Sequence, residues 1–420
     1  MSVEYDPLSA RFRDDPYPIY RRLRDEAPVH FAPEAKMFCV SRHADVALVL
    51  KRADLFSSAA MTSVLSGADL RSMGPRVLLA LVRFMIKTRI NPLQVRKRKA
   101  LISVDGERHD LLRGIVNRGF TPSRIASWEP RVRAIVAAQI RQLGRGAPFD
   151  VIDDLAVPLP VTIIAELLGV DPGRRADFKR WSNALVGMMS GAASRSPVDG
   201  APLAEIAEFF LFLRETVRER RRQPGDDLVS VLVDPARDGV LDELDAIQFV
   251  VLLLVAGNET TTNLIGNAAA ALLEHRDALE RVVREPERVP ALVEEALRFD
   301  SPVQVVFRTV TAETEIAGTR IPRGAVVAAL LGSANRDERA VPEPDRFDVE
   351  REPRGHLAFG FGPHFCLGAA LARLEARVAL EALVPELLHC KRVGERNARI
   401  DSFLVRGRAH LDVVAEEHMP

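Results

Sequence analysis

From Leu241 to Leu273 the chain carries apolar residues at three- and four-residue spacing, and the centre of the run is nearly continuous in them. A helix that is apolar on every side is stable in water only if it passes through the middle of a large body, so this segment demands a wide helical surround. Further helical patterns provide it at Arg131 to Leu143, Leu203 to Arg222, Val289 to Phe299 and Leu367 to Leu387. Short strand-like runs lie at Val29 to Phe31, Phe38 to Val40, Val303 to Arg308 and Val326 to Leu330, each bounded by Pro, Gly or charged residues. The expected fold class is mainly α with small β-sheets. No internal repeat, low-complexity tract or long Gly/Ser linker breaks the 420 residues, so one unit spanning 1–420 is expected.

Charge narrows the choice of partners. Lys plus Arg and Asp plus Glu both number 58, so the field of the whole molecule favours neither nucleic acid nor an anionic membrane as the main partner, and local patches stay open. Cys39, Cys366 and Cys390 lie far apart and form neither a zinc spacing nor a disulfide framework. The start, Met1 to Arg13, is polar and broken by Pro7, unlike a secretory leader, and the apolar runs Val77 to Ile90 and Phe249 to Ala256 read as too short or too interrupted to cross a bilayer. A cytoplasmic protein without a transmembrane anchor is the expectation. One segment stands apart: Val77 to Ile90 is rich in aliphatics and leads to Arg96, Lys97, Arg98 and Lys99. It reads either as a core-facing helix with a solvated loop or as an element that touches a membrane or gates a substrate.

The sharpest local signal is Phe359-Gly360-Phe361-Gly362-Pro363-His364-Phe365-Cys366-Leu367-Gly368, followed at once by a helical run. Two glycines ahead of the cysteine allow backbone to approach a flat partner, and unpaired N–H groups at a helix start stabilise an anionic sulfur. Such a sulfur can ligate iron. Cys39 and Cys390, in ordinary segments, read as buried apolar residues. At Phe359, Gly360, Gly362, His364, Cys366 and Gly368 the loop closely resembles the haem-binding signature of the cytochrome P450 superfamily.

The resemblance extends over nearly the whole chain. Ala256-Gly257-Asn258-Glu259-Thr260-Thr261 puts an acid and an alcohol in the middle of the apolar helix, where packing alone would choose neither. A threonine there can bond to the carbonyl four residues back, Ala256, and open the helix locally. In the family such an opening forms a groove for O2, which implies that Thr260 orients oxygen, that Glu259 helps to deliver protons, and that Ala256 and Gly257 keep the wall low. Glu295 and Arg298, one turn apart, form an intrahelical pair that by itself suggests only a solvated face. With Arg351 they resemble the family's buried Glu-Arg-Arg network, which braces the cysteine loop. His109 and Arg113, with Arg308 and His364, match the family's partners for the two haem propionates, a task suited to the guanidinium fork.

What the resemblance implies is a haem-thiolate monooxygenase, with haem b (iron protoporphyrin IX) lying between the Leu241 to Leu273 helix and the cysteine loop. Cys366 is then the metal ligand, O2 the co-substrate and a lipophilic small molecule (terpenoid, steroid, fatty acid or polyketide) the substrate. The apolar positions Leu252, Val255, Val303, Val306, Leu404 and Val405 are the expected pocket wall. Electrons come from NAD(P)H through a reductase and a ferredoxin-type donor, since no flavin or iron–sulfur signature is present; Arg108, Arg113, Arg118 and Arg373 are candidate docking charges, and a monomer is expected. Two other functions stay in view, a peroxide-driven relative and a non-catalytic haem gas sensor. Neither explains the Glu259-Thr260 pair as well.

Overall fold

The structure is a computed structural model that describes residues 3–61, 75–90, 100–143, 148–194, 202–234, 241–352, 354–394 and 399–415. Its contacts divide into two compact units. One comprises Met1–Ser58, Pro122–Pro160 and Thr260–Pro420, the other Ala59–Thr121 and Val161–Glu259.

The first unit holds the sheets. Strands β1 (Val29–Ala32), β2 (Met37–Val40), β3 (Phe56–Ser57), β4 (Phe149–Asp150), β5 (Val305–Val310), β6 (Thr314–Ile316), β7 (Thr319–Ile321), β8 (Val326–Leu330), β9 (Cys390–Arg392) and β10 (Asp412–Ala415) make a five-stranded sheet in the order β1-β2-β8-β5-β3, a three-stranded sheet β4-β10-β9, and the β6-β7 hairpin. Most pairs are antiparallel, and β2 with β8 is parallel. Strand β8, flanked on both edges, is Val-Val-Ala-Ala-Leu and almost wholly buried, as an interior strand packed on both faces must be. Its neighbours Val40, Val46, Leu50, Phe56 and Leu357 join it in one apolar cluster.

Helix Ala369–Leu388 starts three residues after Cys366 and packs along Glu129–Gln142, Arg276–Arg284 and Val289–Phe299. Ion pairs Arg377–Glu129 at 2.6 Å and Arg133–Glu381 at 2.7 Å tie the first of these contacts at its rim. Several expected elements occur within a residue or two of their predicted bounds, and Leu203–Arg222 and Val289–Phe299 coincide with them.

The second unit is helical. Arg175–Ser194 and Pro75–Thr88 both pack on Leu203–Arg222, and buried Trp181 lies against Phe209 and Phe212, with ring centroids 5.5 and 5.1 Å away. Pro75–Thr88 departs from the core-facing reading: Leu78, Leu79, Val82 and Ile86 are exposed. The basic run Arg96 to Lys99 lies outside the described residues.

The long helix, Glu243–Glu274, has 32 residues and runs unbroken through Ala256–Thr261, so the expected local opening does not interrupt it. It is in fact long and apolar enough to cross a membrane, correcting the reading of its core as too short; 61% of its most apolar window is nonetheless buried inside the protein, the mark of a core helix. Acidic Glu243 and Asp245 occupy its first turn, where the helix dipole favours them.

Candidate functional site

Cys366 is exposed, whereas Cys39 and Cys390 are buried. Its loop is held open by backbone geometry that only glycine adopts easily: φ is +74° at Gly360 and +75° at Gly362. A side chain at Gly362 would also meet the backbone of Leu50 and Lys51 at 3.0 Å. The Cys366 amide donates to the Phe359 carbonyl (2.8 Å) and the Phe365 amide to the Gly362 carbonyl (3.0 Å), which folds the segment into a tight hairpin that presents the sulfur. Phe361 and Phe365 beside it are 44% and 40% exposed.

The loop is braced from below. Arg373 makes two hydrogen bonds to Glu294, 2.6 and 2.8 Å, and its guanidinium stacks 4.5 Å from the Phe359 ring. His356 Nε2 sits 2.9 Å from the same carboxylate, and the Leu357 amide donates to Asn335 Oδ1 at 2.6 Å. Burial would push the Glu294 carboxyl up, but hydrogen bonds from Arg373 and His356 outweigh it and hold it at about 2. Glu294, His356 and Asn335 escaped the reading of the sequence. The available hint was the pair Glu294-Glu295, two adjacent acids on a largely apolar helix.

Glu295, Arg298 and Arg351 do come together. Arg298 grips Glu295 with two bonds of 2.7 Å, both side chains are under 5% exposed, and Arg351 Nε lies 3.5 Å from Glu295. The remaining donors reach backbone: Arg298 to the carbonyls of Asn335, Pro344 and Arg346, Arg351 to those of Pro342 and Glu343. The Asp348 amide closes the cluster on Glu295 at 2.8 Å. A buried ion pair saturated in this way fixes geometry more than it adds stability, and here it pins the long loop 335–351 to the helix Val289–Phe299.

Along Glu243–Glu274 burial is asymmetric. Val250, Leu254, Asn258 and Thr261 are buried, while Leu252, Val255, Glu259 and Thr260 are only half-buried and Ala256 is exposed. These five lie at offsets of 0, 3, 4, 7 and 8 residues, a single helical stripe, so an apolar face ending in an acid and an alcohol is left open in mid-helix. Gly257 has a second reason for being glycine: a side chain there would come within 3.1 Å of Ile164.

His109 and Arg113 share helix Gly106–Asn117, one turn apart; His109 is buried with Nδ1 3.0 Å from Asp110, and Arg113 is half-buried. Leu112 and Val116 of that helix, with Leu101, Gln248, Phe249 and Leu252, line a shallow cleft open to solvent. In the first unit Arg308 is a buried residue of β5, and His364 is half-buried within the cysteine loop. Val303 bridges Val405, and the Gln304 amide donates to Leu404 (2.9 Å), so the expected wall residues from 303–306 and 404–405 are neighbours. Of the suggested docking arginines, Arg118 is bonded to Asp234 (2.9 Å) and Arg373 to Glu294, which leaves their charge largely neutralised inside the protein.

Comparison with known proteins gives one answer. The family model for cytochrome P450 matches residues 202–390. The chain is 39% identical over 402 residues to the erythromycin C-12 hydroxylase of Saccharopolyspora erythraea, covering 94% of this chain and 92% of that one. Cytochrome P450 CYP109Q5 from Chondromyces apiculatus shares the fold with a TM-score of 0.83 at 38% identity, over 99% of both chains. CYP109E1 from Bacillus megaterium, solved in complex with corticosterone, does so at 0.80 and 30% identity, over 96% of this chain and 99% of that one. The class so defined is the monooxygenase, an oxidoreductase that works with haem iron and O2. The chain belongs to the cytochrome P450 family.

The residues present fit the haem that the family implies. An exposed thiol on a glycine-held hairpin, with Phe361 and Phe365 also exposed in the same loop, would offer a soft ligand for iron beside apolar surface, and His109, Arg113, Arg308 and His364 are donor types suited to carboxylates.

Proposed function

We propose that this P450 hydroxylates or epoxidises a lipophilic molecule of macrolide or steroid size, with two electrons arriving from NAD(P)H through a reductase and a ferredoxin-type protein. The observation that carries this reading is the braced hairpin that leaves the Cys366 thiol exposed. Haem, when bound, supplies the oxygen chemistry: R–H + O2 + 2e⁻ + 2H⁺ gives R–OH + H2O. Cys366 would hold the iron as thiolate. Phe359, Gly360 and Gly368 would shape the seat, and His109, Arg113, Arg308 and His364 would pair with the propionates. On the open stripe of the long helix, Glu259 would pass protons inward and the Thr260 hydroxyl would hold one at its Oγ1, with Ala256 and Gly257 leaving room beside them. Leu252, Val255, Val303, Val306, Leu404 and Val405 would form a dry wall that excludes water and orients an apolar substrate. Glu295, Arg298 and Arg351 act at a distance, by positioning the loop. The working form is a cytoplasmic monomer with one catalytic domain across 1–420.

Support for the substrate class comes from relatives whose own names or ligands are erythromycin and corticosterone. The test is spectral titration of the purified haem protein with a macrolide and a steroid, then turnover with NADPH, ferredoxin and reductase. Expected are a ligand-induced shift of the haem band and product only with the complete electron chain. Faster turnover with peroxide alone would reject the proposed route, and the absence of the thiolate band from the reduced, carbon monoxide-treated protein would reject the whole reading.

A further inference from the structure

Helix Pro75–Thr88 has two unlike sides. One packs inward: the Phe84 ring meets Phe210 edge-on at 6.2 Å, and Arg214 donates to the Thr88 carbonyl at 2.6 Å. On the side about 180° away, Leu78, Val82 and Ile86 follow at four-residue spacing with Leu79 beside them, and they are 42%, 45%, 73% and 52% exposed respectively. Of the ten large apolar side chains that stand exposed among the described residues, these four share one helix, so they form a patch and are not the ordinary scatter of surface aliphatics.

Charge says what would cover that patch. Arg76, Arg83, Lys87 and Arg89 accompany it, and no acidic residue occurs anywhere between Asp69 and Asp105, in a chain whose total charge is zero. Among the described residues Lys87 pairs with one acid, Glu208 on the packed side, 3.8 Å away. An aliphatic stripe bordered by guanidinium and ammonium groups suits a surface that is apolar beneath and anionic on top. A protein partner complementary to such a strip would need an acidic rim around an apolar groove, whereas a bilayer containing anionic lipid presents both layers everywhere.

We propose that Pro75–Thr88 is a peripheral membrane-docking helix, lying flat in the headgroup region of anionic bilayers with Leu78, Leu79, Val82 and Ile86 inserted. The docking is independent of the catalytic reading. The test is co-sedimentation of the full-length haem protein with vesicles of phosphatidylcholine alone and of phosphatidylcholine mixed with phosphatidylglycerol. Binding should rise about tenfold with the anionic lipid and weaken with added salt. The double variant Leu79→Glu, Ile86→Glu should stay in the supernatant while retaining the wild-type haem spectrum and thermal midpoint; Arg83→Glu should bind more weakly than wild type. If the wild type stays in the supernatant with both vesicles, or the double variant binds as well as wild type, the proposal is wrong. If light scattering shows a dimer that the same double variant dissociates, the patch is covered by a second copy and the membrane assignment falls.

Discussion

At the scale of single residues, several side chains matter through what they lack or lose. Gly362 combines a positive φ with backbone 3.0 Å from where a side chain would begin, so Gly362→Ala should cost roughly 2 kcal/mol and loosen the loop. Thermal melting with haem content measured in parallel would show it. Thr260→Ala should leave the carbon monoxide band intact and divert NADPH consumption from product to reduced oxygen, read as product formed per NADPH oxidised. Glu375 poses a different problem. It is buried in helix Ala369–Leu388, its Oε2 has no hydrogen-bond partner among the described residues, and burial pushes its carboxyl up from 4.5 to about 8. Between those values the unfolded chain has released the proton and the native one has kept it, so stability falls as pH rises from about 4.5 to 8 and then levels. Glu375→Gln should abolish that decline, seen as a thermal midpoint that no longer drops between pH 5 and 8.

Elements decide how the cysteine loop is held. The hairpin itself is short, and its precision comes from one helix, Val289–Phe299, that carries two acids toward it: Glu294 reaches Arg373 and His356, and Glu295 reaches Arg298, Arg351 and the Asp348 amide. Glu295→Gln removes the charge that two buried or half-buried guanidinium groups share, and should destabilise by about 3–5 kcal/mol. Haem retention should fall with it, measured as the ratio of haem to protein absorbance after gel filtration. Replacing exposed Arg354, whose acid neighbour Glu352 is equally exposed, should change neither. The long helix works in another way. One continuous ladder sets a buried stripe and an open one on the same rod, which places Ala256, Glu259 and Thr260 in register without help from loops.

For the molecule as a whole, pH acts from two directions. Glu294 and Glu338 are both held at about 2 by hydrogen bonds and charges that overcome burial, so the stability they confer is present above 4.5 and lost as pH falls toward 2. Glu375 works against stability from 4.5 upward. Thermal midpoints followed across pH should therefore peak on the mildly acidic side of neutrality, collapse steeply toward pH 2, and keep the acid limb but lose the alkaline slope in Glu375→Gln. Much of this protein was legible in one dimension. Helical periods, the strand runs of β5 and β8, and the spacing around Cys366 are local patterns, because 3.6-residue and two-residue repeats and a glycine hairpin depend on near neighbours. Glu295 with Arg298 is local too; that Arg351 joins them depends on a loop path of some fifty residues. Burial is never local. Whether Leu78 faces a core or open water, whether Arg373 is a docking charge or the partner of Glu294, and whether Glu375 finds a hydrogen bond are settled only when distant segments pack, since solvent exposure belongs to the surroundings of a side chain and not to its type.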